Sequence, residues 1–539
     1  MSFINSNLLS LITFLPLLGM VLVLVVPAER TKLIQWGSVA FSLIPFALSL
    51  VLWAAFDKAS SNFQFVENAK WFPQINASYK VGVDGISLPL VILNAFLTPL
   101  AMLISMRIEK AIKPFYALLF LFEAATAGVF ISLDLVLFFV FYELTLVPMF
   151  FLINQWGGAN RRYASMKFFI YTLFAGLAML LATQVIGIAS GSFDLEYLMS
   201  ATGRPFVGSN TVNILFGNPS AWKTIAFFSF FAAFALKIPV WPLHTWLPDA
   251  HTEAPTGGSM LLAGIMLKLG AYGFMRIVLP LFPETSAQYA WILAVLAMLS
   301  IVLGAFAAWG QNDFKKLVAY SSVNHMGFTA LGIAALAVLM GRLYKIGDTA
   351  GIGATLSQSA AIASNGAVLQ MVTHGLSSAA MFALVGVVYD RAHTRDLTKF
   401  GGLWNIMPKY GAILIFCAMG SLGLPGLAGF VSEFLVTRGA WQASSAMTLF
   451  TVLSMAGLLV TGIYILKSLQ KVLHGPLGQE WEHHPLTDIN LTEILGIAPL
   501  MLAMLYLGIY PTGLLNLINT GSMKLIDLAS KAVVAIAVR

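Results

Sequence analysis

Six ionisable side chains lie inside long apolar stretches of this sequence, where an ionised group raises the free energy unless protein groups or water compensate for it. They are two carboxylates, two lysines and two histidines: Glu143, Lys237, Lys268, His325, His374 and Glu433. Acids, amines and imidazoles exchange protons readily, and ionisable groups inside membrane spans commonly mark ion or proton pathways. These residue types therefore indicate movement of protons or cations across a bilayer.

Each of these residues also has a purely structural interpretation. Glu143 could be a neutral acid bonded to a neighbouring helix, Lys237 could reach the membrane interface, and Lys268 could donate to backbone carbonyls. The histidines could be packing residues, and Glu433 could cap a helix at the interface. Equally, the serine, threonine and asparagine side chains near these histidines could hold waters beside an imidazole that titrates near physiological pH. Haem ligation would need facing histidines and space for the cofactor, and is not favoured.

The stretch 228–275 contains the clearest break in an apolar helix. An apolar run reaches Lys237 and then meets Pro239 and Pro242, which lack a helical N–H donor. We expect the carbonyl of Ala235 to lose its helical partner, which inside a membrane requires compensation by protein or water. A polar hinge follows, which we interpret as a water entrance rather than a metal cluster: His244, Asp249, His251 and Glu253.

A second broken span lies around Pro425. The segment SLGLPGLAGFVSEF, residues 421–434, interrupts an apolar helix with proline and glycine, and Glu433 comes near its end. Each broken span is followed by a helix that carries a lysine, Lys268 or Lys467. Two interrupted spans at matching places in two five-helix blocks are typical of inverted-repeat transporters.

The amino-acid composition indicates an integral membrane protein. The 539 residues are 59% hydrophobic and only 10% charged, whereas soluble domains average about 25% charged residues. Apolar runs of about 20 residues alternate with short polar breaks, and each run matches the thickness of a bilayer core. The pattern predicts an all-α polytopic membrane protein with about 14 transmembrane helices, of which helices 7 and 12 are interrupted.

This count divides the chain into four predicted regions. They are helices 1–3 in 1–113, a first repeat of helices 4–8 in 114–280, a second, inverted repeat of helices 9–13 in 281–472, and helix 14 with a tail in 473–539. Lysine and arginine concentrate in loops after odd-numbered spans, which predicts cytoplasmic odd loops and both termini on the outer side. The leucine and isoleucine spacing after Thr512 allows an interfacial helix in the tail.

Several kinds of active site are excluded by the sequence. The single cysteine, Cys417, excludes disulfides, and it excludes thiolate zinc sites and iron–sulfur clusters built from this chain alone. No GxxxxGK[ST], GxGxxG or HExxH motif occurs. The formal charge of +7 is not accompanied by a basic–aromatic patch, so nucleic-acid binding is not expected. We expect no cofactor on this chain.

Three segments resemble the antiporter-like membrane subunits of respiratory complex I, and the likeness extends over nearly the whole chain. The segments are FFVFYELTLVPMFFL (138–152), FALKIPVWPLHTWLPDAHTEAPTGGSMLLAGIMLKLGAYG (234–273) and DFKKLVAYSSVNHMGF (313–328). Glu433 stands where the sister subunits L and N and the Mrp antiporter proteins usually have lysine. The chain also lacks the long lateral helix of subunit L. Both features favour the branch of this family that has glutamate at the position of Glu433 over the L-type, N-type and Mrp branches.

The resemblance implies a fold of 14 helices with two inverted five-helix repeats and no cofactor of its own. FMN, iron–sulfur clusters and quinone would belong to partner subunits. The expected partners are L-type and N-type antiporter-like neighbours and membrane lipids, in the inner membrane of a bacterial cell. The resemblance also implies residue roles, which composition and spacing only permit: an ion pair of Glu143 with Lys237, a central relay at Lys268, connecting groups at His325 and His374, and an outlet at Glu433.

An alternative function uses the same residues without a redox partner. A standalone or Mrp-type antiporter would exchange Na⁺ or K⁺ for protons, and an ion gradient would drive the exchange. A protein that co-purifies with iron–sulfur and flavin subunits fits the complex, whereas ion exchange by the chain alone in liposomes fits the antiporter.

Overall fold

The computed structural model describes residues 6–200, 219–346, 352–483 and 486–537 of the chain. Within these ranges the protein is almost entirely helical, with one two-stranded antiparallel sheet. The all-α polytopic class predicted from composition is therefore confirmed. The two chain ends, which the charge pattern assigns to the outer side, lie outside the described residues.

Helices and strands follow one another in three groups. The N-terminal group consists of α1 (Leu8–Val25), α2 (Thr31–Ala55), β1 (Gln64–Phe72), β2 (Ala77–Val83), α3 (Ser87–Ile104) and α4 (Ile112–Ile131). The second group consists of α5 (Leu135–Leu144), α6 (Leu146–Trp156), α7 (Arg161–Ser190), α8 (Leu195–Met199), α9 (Pro219–Lys237), α10 (Trp246–Glu253) and α11 (Thr256–Leu281). The third group consists of α12 (Pro283–Trp309), α13 (Phe314–Ile346), α14 (Ile352–Ala392), α15 (Pro408–Leu422), α16 (Ala428–Trp441), α17 (Ser445–Leu473), α18 (Gln479–His483), α19 (Leu491–Ile509) and α20 (Thr512–Ala537).

Twelve spans in the described part of the chain are long and apolar enough to cross a membrane, with α5 and α6 together forming one of them. The two remaining predicted spans are the interrupted ones. One breaks between Lys237 and Trp246, and the other breaks between Leu422 and Ala428. Hydropathy alone therefore counts two spans that are not continuous helices, because proline and glycine break them. The inverted relation of the two repeats stays a prediction.

The centre of the bundle is built from α11, α13 and α14. The most apolar parts of α11 and α14 are entirely buried inside the protein, and that of α13 is almost so. Two π-helical turns, Leu262–Met266 and Phe274–Val278, interrupt the α-helical ladder of α11. Such turns are frequent at functional sites because they displace backbone carbonyls from their regular partners. Three of the six candidate residues lie on these central helices.

The β-hairpin and α20 lie on one side of the bundle, which we call the hairpin side. The backbone N–H of Leu9 donates to Glu67 of β1 at 2.8 Å, and Ser364 of α14 contacts Ser522 of α20 at 2.7 Å. Leu517 of α20 is fully buried. The tail is therefore helical, with its apolar face packed on protein, and its position at the membrane interface stays a prediction.

A buried ion pair connects the end of the hairpin to α11. Arg276 Nη2 lies 2.6 Å from Asp84 Oδ1, and Arg276 Nε donates to the Tyr272 hydroxyl at 3.1 Å. Burial alone would raise the pKa of Asp84, but the guanidinium and backbone N–H donors outweigh burial and hold the pKa below its ordinary value. The pair thereby fixes the hairpin-side half of α11.

Candidate functional site

Lys268 lies on the central helix α11, fully buried and two residues after the first π-helical turn. Its ammonium donates to the carbonyl of Ala263, and its Nζ lies 2.8 Å from His374 Nδ1. A charged lysine only donates, so Nδ1 of His374 must then accept. The proton of the neutral imidazole is consequently on Nε2, which faces Ser322 Oγ at 3.2 Å.

His325 and Glu433 form a second buried pair. His325 Nδ1 lies 2.9 Å from Glu433 Oε1, and His325 Nε2 lies 3.4 Å from Ser421 Oγ. An ionised carboxylate only accepts, so the proton of His325 lies on Nδ1 when Glu433 is charged. The two histidines therefore carry their protons on opposite ring nitrogens.

The two pairs approach one another through their imidazoles. The ring centroids of His325 and His374 lie 5.8 Å apart at an angle of 37°. Ser322 precedes His325 by one helical turn on α13 and contacts the other ring, so it borders the space between them. We call Lys268, His374, His325 and Glu433 the central line, which has two direct contacts and one gap.

Gln370 is a functional candidate that the sequence analysis missed. Its Nε2 donates to Glu433 Oε1 at 3.3 Å, and its Oε1 accepts from Ser432 Oγ at 2.5 Å. The serine hydroxyl therefore fixes the amide so that its donor faces Glu433. Gln370 precedes His374 by four residues, which places both on one face of a helix, and this spacing could have identified it.

Glu143 and Lys237 do not form the direct ion pair that the resemblance implies. Their charged atoms lie more than 4.0 Å apart, and within the described ranges Glu143 Oε1 and Lys237 Nζ have no hydrogen-bond partner. The lysine ammonium instead lies 4.8 Å from the centre of the Tyr142 ring. Each charge still acts electrostatically on the other. The prediction that Glu143 and Lys237 form a direct ion pair is therefore wrong in this structure.

Two neighbours explain this geometry. The Glu143 carboxylate packs against Gly176 of α7 so closely that a Cβ at position 176 would lie 1.9 Å from Oε1. The Tyr142 ring attracts the ammonium through the negative face of its π system, a contact that gains strength when the cation is desolvated. The carboxylate and the ammonium thus contact different partners.

The proline break after α9 leaves the carbonyls of Ala235 and Leu236 bonded to other protein groups. The N–H of Val240 donates to the Ala235 carbonyl at 3.1 Å, and the Trp246 indole donates to the Leu236 carbonyl at 3.1 Å. The expected compensation is therefore supplied by protein groups. A sequence alone cannot show it, because Val240 and Trp246 follow Pro239 and reach back to these carbonyls only in the folded chain.

A polar cavity of about 420 Å³ opens on the side opposite the hairpin. Asp249 and Glu253 of the predicted hinge line it, together with Asp313 and Arg395. Arg395 Nε lies 3.3 Å from Asp313 Oδ2, and Lys167 Nζ lies 2.7 Å from Asp249 Oδ2. The cavity is therefore bordered by charged groups of both signs.

His251 lies apart from this cavity and deeper in the protein. Its ring stacks on Phe382 with centroids 4.7 Å apart, and neither ring nitrogen has a hydrogen-bond partner within the described part of the chain. His244 lies elsewhere, against Trp241. The four hinge residues thus divide between a cavity wall and two separate aromatic contacts.

The chain is similar to known proteins over nearly its full length. A family model described as NADH:quinone oxidoreductase/Mrp antiporter, TM, matches residues 132–343 and 349–459. The NADH-quinone oxidoreductase subunit M of Rhodobacter capsulatus is 39% identical over 532 residues, 97% of each chain. The NADH-ubiquinone oxidoreductase chain 4 of Marchantia polymorpha is 37% identical over 524 residues, again 97% of each chain.

Solved structures show the same fold. A chain of respiratory complex I from Thermus thermophilus with bound NADH superposes with a TM-score of 0.81 at 27% identity, covering 97% of this chain and 99% of that chain. A chain of the Mrp complex from Dietzia sp. DQ12-45-1b gives a TM-score of 0.77 at 22% identity, covering 98% of this chain and 56% of that chain. The protein belongs to the membrane family shared by NADH:quinone oxidoreductases and Mrp antiporters.

Proposed function

We propose that this chain is a proton-translocating membrane-arm subunit of an NADH:quinone oxidoreductase. The observation that carries the proposal is the central line, four buried groups that can each gain and lose a proton, joined by two direct contacts. The names of the relatives from Rhodobacter capsulatus and Marchantia polymorpha support the assignment to this type of complex. In this arrangement the chain lies in the inner membrane of a bacterial cell, with both termini on the outer side.

The proton enters from the cavity lined by Asp249 and Glu253, on the cytoplasmic side. His251 connects this wall to Lys268: within the described ranges neither ring nitrogen is hydrogen-bonded, so one nitrogen can donate to a water while the other accepts a proton. From Lys268 the proton passes to His374, and a water beside Ser322 bridges the two imidazoles. His325 then delivers the proton to Glu433, which releases it toward the outside. The two imidazoles must exchange their tautomers for each proton that crosses the gap.

The pair of Glu143 and Lys237 supplies the drive. A charge change on a neighbouring subunit alters the position of Lys237 between the Tyr142 ring and the Glu143 carboxylate. Because Coulomb energies are large in a low-dielectric interior, this movement changes the proton affinity of Lys268. Electron transfer occurs on other subunits, which hold FMN, iron–sulfur clusters and quinone, so this chain carries no redox site. Its neighbours in the membrane are the L-type and N-type antiporter-like subunits.

The test measures proton translocation and NADH oxidation in the same membrane vesicles. Glu143→Gln and Lys237→Ala should each abolish most of the coupled pumping in a complex that assembles normally. Lys467→Ala provides a matched control, because this lysine is exposed and lies over the Trp309 ring. Normal pumping by an assembled Glu143→Gln or Lys237→Ala complex would exclude this role for the pair. Exchange of Na⁺ or K⁺ for protons by the purified chain alone in liposomes would favour the antiporter instead.

A further inference from the structure

An apolar groove of about 430 Å³ opens on the surface of the bundle between α2, α3, α14, α19 and α20. Its floor is formed by buried aliphatic side chains, including Leu93 and Leu376, and its walls by Trp53, Tyr506 and Tyr510. More than half of the surface of both tyrosines is exposed. The groove therefore faces outward from helices that cross the membrane.

The length of the groove along α3 fits within one leaflet of a bilayer. Along α3 it extends from Pro89 to Phe96, which at about 1.5 Å per residue is roughly 10 Å. Half of a hydrocarbon core is about 15 Å thick. At the deep end, the rings of Phe46 and Phe96 pack with centroids 5.4 Å apart. The groove thus begins at the hairpin side and reaches the depth of Val372 and Leu376, in the middle of α14.

A cation stands at the mouth of the groove. Lys58 follows α2 on the hairpin side, is exposed, and holds its Nζ 5.4 Å from the centre of the Trp53 ring. In the described part of the chain no carboxylate lies within 4.0 Å of this ammonium. The adjacent Asp57 accepts the N–H of Ala59 in a turn. Tryptophan, tyrosine and lysine at this depth are the side chains that meet lipid headgroups.

The shape and the charge of the groove favour a lipid chain over a protein helix as occupant. A helix with side chains is about 10 Å across, whereas an extended hydrocarbon chain is thinner and has a single polar end. An apolar groove with one cation, Lys58, at its mouth matches such a chain with an anionic head.

We propose that this groove binds a phospholipid of the hairpin-side leaflet. One acyl chain lies along Leu93 and Leu376, and the anionic phosphate pairs with Lys58. Val372 and Leu376 line the groove, whereas His374, between them on α14, faces Lys268. The bound chain therefore covers the outer face of the helix that carries His374 and excludes water from it. This binding does not depend on the direction or the drive of proton transfer.

The experiment uses the complete complex, reconstituted into vesicles with a phosphatidylglycerol that carries a photoreactive diazirine on one acyl chain. After illumination, mass spectrometry of peptides locates the label. Ile92→Trp fills the groove and Lys58→Glu reverses the charge at its mouth. Their matched controls are Leu303→Trp, on the exposed face of α12, and Lys70→Glu, on the exposed β1 strand.

We expect label at 89–96 and 372–376 in the unmodified complex, reduced several-fold by Ile92→Trp and by Lys58→Glu and unchanged by either control. The proposal is overturned if these segments carry no label, or if the groove variants and the controls label equally. Equal labelling by a diacylglycerol probe, which carries the same diazirine chain but no phosphate, would overturn the phosphate contact with Lys58. Cross-links from these segments to a peptide of another subunit would identify a protein occupant instead.

Discussion

The ammonium of Lys268 lies 2.8 Å from Nδ1 of His374, and no other described ionisable side chain hydrogen-bonds to either group. The lysine and the histidine come from helices separated by 106 positions in the chain. Since a charged lysine cannot accept a hydrogen bond, the protonation state of Lys268 determines which nitrogen of His374 carries the proton. Their contact makes lysine and imidazole a single proton-exchanging unit.

Removal of the lysine should break the central line at its start. We expect Lys268→Met to lower proton pumping per NADH oxidised by about 100-fold, the scale of a lost general acid or base. Methionine keeps the length and apolar contacts of the lysine stem, so assembly should persist. The measurement is dye-detected acidification of vesicles, with Lys467→Met as control. Pumping within twofold of the unmodified complex would contradict this prediction.

The pair of His325 and Glu433 should behave as one unit in a double-mutant cycle. His325→Ala and Glu433→Gln should each reduce pumping strongly, whereas the double variant should be little worse than either single one. Non-additivity is expected because either change abolishes proton exchange across the same 2.9 Å contact. Losses that multiply in the double variant would show two independent roles.

Gln370 should act as a positioning residue for Glu433. Gln370→Met keeps the volume but removes the donor to the carboxylate, so pumping should fall about tenfold while NADH oxidation by the assembled complex persists. Gln370→Glu should be more severe, because a second carboxylate would compete for the proton of His325. Gln288→Met, on α12 and away from the central line, serves as the control. An unchanged ratio of pumping to oxidation in Gln370→Met would exclude the positioning role.

Gly176 offers a test of the position of Glu143 without a change of charge. Gly176→Ala places a methyl group where the carboxylate now lies, so Glu143 must move and coupled pumping should fall. Gly37→Ala is the matched control, because nothing lies within 4 Å of an added Cβ there. Both variants should assemble, and only Gly176→Ala should lose coupling. Equal pumping by the two variants would show that the placement of Glu143 against α7 is unimportant.

The ion pair of Asp84 and Arg276 should affect stability rather than chemistry. Asp84→Ala leaves a buried guanidinium without its partner, a change that costs about 3–5 kcal/mol. Because the pKa of Asp84 is held below its ordinary value, its stabilising contribution is present above about pH 4 and is lost only as the pH falls further. Thermal melting of the complex should therefore show a similar loss at about pH 6 and about pH 8. Asp57→Ala, at an exposed turn, should change the melting temperature little.

Much of the fold could be predicted from local patterns. Apolar runs of bilayer length predict the spans because every backbone polar group in lipid must bond within its own helix. The breaks after Lys237 and Leu422 follow from proline and glycine, whose effect on a helix is local. The tail after Thr512 shows the limit of this reasoning, because its amphipathic pattern fits a lipid interface as well as a protein surface.

The sequence by itself determined which residues are available for chemistry, because ionisable groups in apolar helices are few and easily recognised. Only the tertiary structure decided how they are joined. Lys268 and His374 are in contact, whereas Glu143 and Lys237 are held apart by Gly176 and the Tyr142 ring. The physical reason is that helix packing sets distances between residues far apart in the chain, and a proton transfers only when donor and acceptor lie within hydrogen-bonding reach.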